Sequence, residues 1–209
     1  MKRTVSTILA VLMLAFCLAS CAGTDANAIA PEGMELASGE GSAYYLFVPE
    51  SWELTQGYGT WGAYTSDASN VNVSTFTASD IGNKESESTA DTTDAAVHTE
   101  APSDTEAAPS DKTAREQYID AYWDMCWKTY MNELNGFSVV EDGKQTTLGG
   151  YEAKQYVYTA KYEGVEYKMQ MTVTYSGGLM YILTYTAKTA NYDSHLTEVA
   201  KIVSEFKFK

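Results

Sequence analysis

Residues 165–175 have the sequence VEYKMQMTVTY, with an apolar or aromatic residue at every odd position and a charged or polar residue at every even position. This period of two predicts a β-strand with one buried face and one solvated face. Residues 155–162 alternate in the same way, and the Glu-Gly pair at 163–164 joins the two segments as a hairpin. Because Ser-Gly-Gly at 176–178 allows a second tight reversal into the apolar run of residues 179–187, we predict three consecutive antiparallel strands.

Two amphipathic helices are predicted outside this sheet. Thr113 and Glu116 match a capping box, and apolar residues then recur every three or four positions as far as Leu134. A second apolar stripe of helical spacing begins near Asn191. Because the strand at residues 179–187 is apolar or Thr on both faces, we expect both faces of the sheet to be covered. The predicted fold class is therefore α+β, an antiparallel sheet with helices packed on its faces as an α/β/α sandwich.

The N-terminus has the features of a lipoprotein export signal. Lys2 and Arg3 precede an apolar run, residues 8–18, which is shorter than the roughly 20 residues that a membrane-spanning helix needs. Residues 18–21, Leu-Ala-Ser-Cys, resemble a bacterial lipobox, in which the Cys21 thiol receives a diacylglyceryl group with acyl chains such as palmitate. We therefore predict lipidation at Cys21 and a cell-membrane anchor, with the protein facing the extracytoplasmic side. The alternatives are an ordinary secretory signal with an incidental cysteine and a short transmembrane anchor.

Composition divides the chain into segments. Residues 1–20 are predicted to be the signal peptide, and residues 21–41, rich in small and acidic residues, a flexible tether. Residues 42–209 are predicted to form one domain that contains an acidic insert, residues 84–112, with Val97 as its one large aliphatic residue. We expect this insert to be disordered, because it cannot bury enough apolar surface to offset its ordering entropy. An acidic interaction tail and a glycosylated Ser/Thr stretch are the alternatives.

The sequence contains little that indicates catalysis or metal binding. Its net charge of −14 excludes nucleic acid as a partner, since phosphates require a basic surface. His98 and His195 each lack a second His or Cys at ligand spacing, so we expect no metal and no cofactor. No familiar catalytic motif is present and no catalytic residue is predicted, which favours a non-catalytic binding or accessory module. The alternative is a cell-surface glycan-binding protein or a glycan hydrolase whose scattered carboxylates meet only in the fold.

Tyrosine is unusually abundant, with 16 residues in the chain. Tyr156, Tyr158 and Tyr162 share one face of the strand predicted at residues 155–162. If that face is exposed, the three rings form a platform for a glycan or a partner protein, and they are the predicted ligand contacts. The alternative is that they are core residues of a half-buried sheet.

Four short segments resemble the fold-determining positions of PsbP-like domains. Residues 45–52, YLFVPESW, resemble the aromatic strand, proline and tryptophan that open these domains. Residues 148–154, LGGYEAK, resemble the Gly-Gly-x-x-Ala entry to their central hairpins. Residues 181–185, YILTY, and residues 206–208, FKF, are similar to the later part of the same domains.

The PsbP-like family includes the extrinsic PsbP subunit of photosystem II, a eukaryotic Ran-binding protein and bacterial lipoproteins of the DcrB and LpqN types. The resemblance covers roughly residues 41–81 and 113–209 and is interrupted by the acidic insert. It implies the α+β fold and an accessory or binding role, and it involves no catalytic motif. The expected partners are the membrane, through acyl chains on Cys21, and an envelope protein or a glycan.

Overall fold

The computed structural model describes residues 28–57, 60–77, 109–128, 131 and 135–209, with the backbone alone at residues 109–113, 125 and 126. The strands in this part of the chain are β1 (Met34–Leu36), β2 (Tyr44–Tyr45), β3 (Phe47–Pro49), β4 (Glu53–Gly57), β5 (Thr60–Tyr64), β6 (Asn70–Thr77), β7 (Ser138–Leu148), β8 (Tyr151–Tyr162), β9 (Val165–Ser176), β10 (Leu179–Lys188) and β11 (Lys207–Phe208). The helices are α1 (Pro109–Ala121), which continues as a π-helical segment (Tyr122–Lys128), a 3-10 turn (Tyr192–His195) and α2 (Leu196–Glu205).

Seven strands form one antiparallel sheet in the order β4-β5-β6-β10-β9-β8-β7. The predicted three-stranded meander consists of β8, β9 and β10, and β7 precedes it as a further antiparallel strand. At the β8–β9 turn Glu163 has φ +49° and Gly164 has φ +81°, the positive values that a type I′ hairpin requires. Tyr162 then pairs with Val165, so the hairpin predicted from the Glu-Gly pair is confirmed.

The core consists of two hydrophobic clusters on opposite faces of this sheet. Along β10, Met180 and Ile182 belong to one cluster and Tyr181 and Leu183 to the other, as the alternation of a strand requires. The α1 cluster contains Ile119, Tyr122, Trp123, Met131, Tyr156, Tyr158, Ala160, Met169, Met171, Val173, Met180 and Ile182. The second cluster includes Val199 and Ile202 of α2 together with residues of β1, β2 and β3. The prediction of a mostly antiparallel sheet with two helices is confirmed.

Helix α1 begins earlier than the sequence predicted. Its first residue is Pro109, whereas the capping box placed the N-cap at Thr113. Proline suits the first helical position because its φ is already fixed and its missing N–H needs no partner there. Residues 109–112 are therefore helical, and the predicted insert, residues 84–112, extends too far at its C-terminal end by these residues. The remainder of the insert, residues 84–108, lies outside the described residues.

The folded body also begins before residue 42. β1 pairs with β3, and Met34 is only 4% exposed in the core, although it falls inside the predicted tether of residues 21–41. The Ala37 N–H donates to the Leu46 carbonyl at 2.8 Å, which extends this pairing. The boundary at residue 41 is therefore wrong, because the short apolar segment around Met34 buries its side chains against β3. The earlier part of the tether, residues 21–27, lies outside the described residues.

The predicted signal peptide, residues 1–20, and Cys21 also lie outside the described residues. Within the ranges that the structure does describe, no helix has both the length and the apolar character needed to cross a membrane.

The last helix is entered through a 3-10 turn. Asn191, the predicted N-cap, makes no side-chain capping bond, and α2 begins only at Leu196. Of the predicted stripe, which consisted of Tyr192, Leu196, Val199, Val203 and Phe206, Tyr192, Val199 and Phe206 are buried and Leu196 and Val203 are half-buried. Ile202, which the predicted stripe did not include, is fully buried beside them.

Candidate ligand-binding pocket

The three tyrosines predicted to bind ligand lie in two different environments. Tyr156 and Tyr158 are 1% and 0% exposed, whereas Tyr162 is 68% exposed. They share one face of β8, as predicted, but the π-helical segment covers most of that face. Trp123 stacks on Tyr156 with ring centroids 4.1 Å apart and lies 5.9 Å from the ring of Tyr158. The predicted exposed platform is therefore wrong for Tyr156 and Tyr158, which are core residues.

Burial also raises the pKa of both core tyrosines above the ordinary value. For Tyr156 the loss of solvation is the larger cause, and the nearby carboxylate of Asp120 adds to it. For Tyr158 burial again dominates. Both hydroxyls therefore stay neutral at physiological pH, and neither can act as a phenolate nucleophile or base.

An open apolar pocket of about 250 Å³ lies beside the α1 cluster, at the end of the sheet where the β8–β9 hairpin turns. Its lining residues are Met131, Ala160, Lys161, Tyr162, Tyr167, Met169 and Thr186. Strand pairing brings them together: Ala160 pairs with Tyr167, and Met169 pairs with Thr186. The small Ala160 stands between Tyr158 and Tyr162 on the same face of β8, so the space that a third large side chain would fill is left open.

The pocket wall is suited to an apolar group. An engineered apolar cavity of 150 Å³ in another protein holds a benzene molecule, so about 250 Å³ is enough for one ring or one alkyl chain. Met131 and Met169 supply flexible, polarisable thioethers that adapt to irregular ligands. Tyr162 is thus the one predicted ligand contact that the structure places at a cavity.

A second cluster of functional groups surrounds His195. Its Nδ1 lies 2.9 Å from Glu198 Oε2, and its Nε2 lies 3.3 Å from Asp67 Oδ2. Trp52 donates its indole N–H to the same Glu198 oxygen at 3.3 Å and packs edge-on against the imidazole. The cluster joins the turn between β5 and β6 to the first turn of α2.

The electrostatics of this cluster favour a structural role. Burial alone would lower the pKa of His195, but its hydrogen bonds to Glu198 and Asp67 outweigh burial and raise the pKa above 6.5. Hydrogen bonds from Thr65 and from the Ser69 N–H lower the pKa of Asp67 well below its usual range. Each ring nitrogen has a carboxylate partner, which favours the protonated ring and leaves neither nitrogen free to act as a general base. In the described part of the chain, no three His, Cys, Asp or Glu side chains gather as a metal site.

A polar groove of about 400 Å³ lies between α2 and strands β7 to β9. Its lining residues are Thr146, Thr147, Gln155, Gln170, Leu196, Ala200, Val203 and Ser204. Gln155 donates its amide N–H to Glu141 at 2.7 Å, which leaves its carbonyl as an acceptor. Gln170 accepts from the Tyr192 hydroxyl at 3.4 Å, which leaves its amide N–H₂ as a donor. The groove thus offers one oriented acceptor and one oriented donor without a formal charge.

Comparisons with known proteins bear on the fold. No protein-family model matches the chain, and no curated protein matches it. LpqN of Mycobacterium tuberculosis, described as involved in cell envelope biogenesis, is similar in structure, with a TM-score of 0.50 at 15% identity over 84% of this chain and 89% of LpqN. Cyanobacterial PsbP from Synechocystis sp. PCC 6803 has a TM-score of 0.48 at 14% identity, over 92% of this chain and 99% of PsbP. A Pseudomonas aeruginosa protein of unknown function gives 0.41 at 14% identity, over 80% and 92% of the two chains.

These identities are low, so the likeness concerns the fold and not the activity. The match to LpqN agrees with the four sequence segments that resemble PsbP-like domains. This chain therefore has the fold of LpqN, in agreement with the PsbP-like resemblance of its sequence.

Proposed function

We propose that this protein is a membrane-anchored extracytoplasmic lipoprotein that acts as a non-catalytic binding module, and that the pocket beside Ala160 holds its ligand. The observation that carries the proposal is an open apolar pocket of about 250 Å³ with Tyr162, 68% exposed, on its wall. The apolar side chains that line this open pocket are in contact with solvent. A bound apolar ligand would remove that apolar surface from water, which makes binding favourable.

The scaffold suits this role. The α1 cluster and the second cluster, which contains Val199 and Ile202 of α2, lie on opposite faces of one sheet. This arrangement supports the predicted α/β/α sandwich as a rigid frame for the pocket. The pocket-lining residues Ala160, Tyr167, Met169 and Thr186 stand on three adjacent strands. Their positions are fixed by backbone pairing, so the pocket is preformed.

Two observations support the cellular address. The lipobox-like residues 18–21 supply Cys21 as an acylation site, and two or more acyl chains give a stable anchor. LpqN, which shares this fold, is described as acting in cell envelope biogenesis. A binding module on the outer face of the membrane is consistent with both.

Binding of N-phenyl-1-naphthylamine, a neutral apolar fluorophore, tests the proposed pocket. The protein is the secreted chain, residues 21–209, with Cys21→Ser to prevent acylation. Ala160→Phe fills the pocket and should weaken binding at least ten-fold, whereas Ala190→Phe, the same change at an exposed alanine, should leave it unaltered. Tyr162→Ala, at a mostly exposed position, should weaken binding without lowering the melting temperature. Equal binding by the parent protein and the three variants, or no binding by the parent protein, would overturn the proposal.

A glycan in the polar groove is the second candidate, because Gln155 and Gln170 present an acceptor and a donor to it. Double substitution of these glutamines by Leu should abolish retention on a glycan array and leave fluorophore binding intact. Retention by the double variant would remove this candidate. A glycan hydrolase, the further alternative, would also show turnover that depends on a pair of carboxylates.

A further inference from the structure

A further cavity, of about 310 Å³, lies on the sheet face of the second cluster, opposite to the apolar pocket. Strand pairing assembles its floor: Thr75 pairs with Tyr181, and Trp61 pairs with Val73, which precedes Thr75 by two residues on the same face of β6. None of its lining residues lines the apolar pocket or the polar groove. They are Gly41, Ser42, Ala43, Tyr44, Trp61, Thr75, Leu179 and Tyr181.

The loop between β1 and β2 closes one side of this cavity and is held in place by its own contacts. Ser38 Oγ donates to the Tyr44 carbonyl at 3.0 Å and accepts from the Leu46 N–H at 3.1 Å. The indole of Trp61 lies directly on the backbone of Gly39, where a Cβ would overlap the ring. The loop and the indole therefore fix each other, and the cavity is preformed.

The wall combines aromatic rings with polar groups that have spare hydrogen-bonding capacity. Tyr44, Trp61 and Tyr181 supply the rings. Within the described residues, the hydroxyls of Thr75 and Tyr181 and the indole N–H of Trp61 form no hydrogen bond. Ser42 Oγ donates to a backbone carbonyl at 2.7 Å and keeps its lone pairs as acceptors. The lining residues include no charged side chain.

This wall discriminates between classes of ligand. A wholly apolar ligand would cover the free hydroxyls and the indole N–H without replacing their bonds to water, which is unfavourable. An anion would find no cation in the wall, and both the net charge of −14 and the exposed Glu40 beside Gly41 oppose it. A sugar ring has C–H faces that pack on aromatic rings and hydroxyls that both donate and accept.

We infer that this cavity is a second binding site, which takes a neutral saccharide. The sugar ring packs against Trp61, and its hydroxyls bond to Thr75, Tyr181 and Ser42. A volume of about 310 Å³ is near the lower end of the range of about 300 to 1,000 Å³ that small-molecule sites occupy, so one or two sugar rings fit. The site goes beyond the proposed function and does not depend on it.

NMR of the ¹⁵N-labelled secreted chain tests this site directly, because each tryptophan gives its own indole N–H signal. The probes are cellobiose, maltose, lactose and methyl β-D-glucoside, and the signal of Trp61 is assigned with Trp61→Phe. At least one probe should shift the Trp61 signal in a saturable way. The Trp123 signal should not move, since that ring is buried in the α1 cluster. Methyl β-D-glucuronide, which carries a carboxylate on the same ring, should bind more weakly than the glucoside.

Two conservative variants remove single hydroxyls from the wall. Tyr181→Phe and Thr75→Val should each weaken saccharide binding by about five-fold, the value of one neutral hydrogen bond. Neither should lower the melting temperature, because these hydroxyls bond to nothing in the described protein. Phe76→Ala is the matched control: it removes an exposed ring next to Thr75, but on the opposite face of β6, and should leave binding unaltered.

Several results would overturn the saccharide site. These are a Trp61 signal that none of the four saccharides shifts, hydroxyl variants that bind like the parent protein, and a glucuronide that binds as tightly as the glucoside. A Trp61 signal that moves with N-phenyl-1-naphthylamine and with no saccharide would also overturn it, in favour of an apolar ligand. Each of these results leaves the pocket beside Ala160 standing, because that pocket is tested by Ala160→Phe on the other face of the sheet.

Discussion

Tyr158 and Tyr162 lie four residues apart on the same face of β8, yet Tyr158 is fully buried and Tyr162 is 68% exposed. Between them the α1 cluster ends and the apolar pocket begins. Tyr158 contacts the rings of Trp123, Trp127 and Phe137, whereas Tyr162 pairs with Val165 at the hairpin turn.

This difference predicts opposite effects of truncation on stability. Tyr158→Ala removes a buried ring and should lower the free energy of unfolding by about 3–5 kcal/mol. For a domain of this size, that loss lowers the melting temperature by roughly 10 °C. Tyr162→Ala should change the free energy of unfolding by less than about 0.5 kcal/mol, because the ring is mostly solvated. Thermal melts of both variants check this, and a large loss for Tyr162→Ala would contradict the described boundary of the core.

Two buried threonines of β9 predict a matched pair of results. Thr172 is 0% exposed, and its hydroxyl has no hydrogen-bond partner. Thr174, equally buried, donates to the Glu152 carbonyl at 2.6 Å. Thr172→Val should stabilise the protein by about 1 kcal/mol, since it removes an unsatisfied hydroxyl and keeps the shape. Thr174→Val should destabilise it by about 1 kcal/mol. Chemical denaturation measures both, and the same sign for the two variants would contradict the assignment.

His195 predicts a pH-dependent stability. Its folded pKa is raised above 6.5, so its stabilising contribution is fully present below that value and is lost as the pH rises through the folded pKa. The stability difference between the parent protein and His195→Gln should therefore be largest near pH 5 to 6 and should fall toward pH 9. Asp67 stays ionised throughout, because its pKa is lowered. Urea denaturation across this range provides the measurement. A difference that grows with pH would show that His195 is neutral in the folded protein.

Cys21 predicts the cellular address. Cys21→Ser removes the predicted acylation site and should prevent lipid attachment, so the protein should be released from the membrane fraction or accumulate with its signal peptide uncleaved. Cell fractionation with metabolic labelling by a palmitate analogue checks both outcomes, and Cys126→Ser is the control that should keep label and location. Membrane retention and labelling that survive Cys21→Ser would refute the lipobox.

The periodicity of the sequence was sufficient to predict the sheet, because a strand that is buried on one face alternates apolar and polar residues, as residues 165–175 do. The Glu-Gly pair at residues 163–164 was sufficient to predict the β8–β9 hairpin, since Gly164 readily adopts the positive φ that the turn requires. The pattern could not show which face α1 covers, since Tyr156 and Tyr158 alternate in the same way whether a helix or water lies above them. That choice depends on tertiary packing, here on the stacking of Trp123 against Tyr156.

Local sequence patterns could not predict the pocket, for a related reason. Met169 and Tyr167 were correctly assigned to one face of β9, and Met131 to the apolar stripe of its helix. The cavity arises because the small side chain of Ala160 faces these residues across strands, a property of the assembled sheet. Short β1 was also missed, because a three-residue strand carries too little alternation to be recognised.

The position of β10 between β9 and β6 has a consequence for the order of folding. β9 reaches β10 through a two-residue turn, whereas β6 must arrive from about a hundred residues earlier in the chain, with Val71 opposite Tyr185. Closing so long a loop is slow compared with closing a hairpin. We therefore expect strands β7 to β10 to pair first. One edge of β10 then remains exposed to solvent until β6 pairs with it. An open, largely apolar edge is prone to pair with other chains, so the docking of β6 is the step at which folding molecules are most exposed to aggregation.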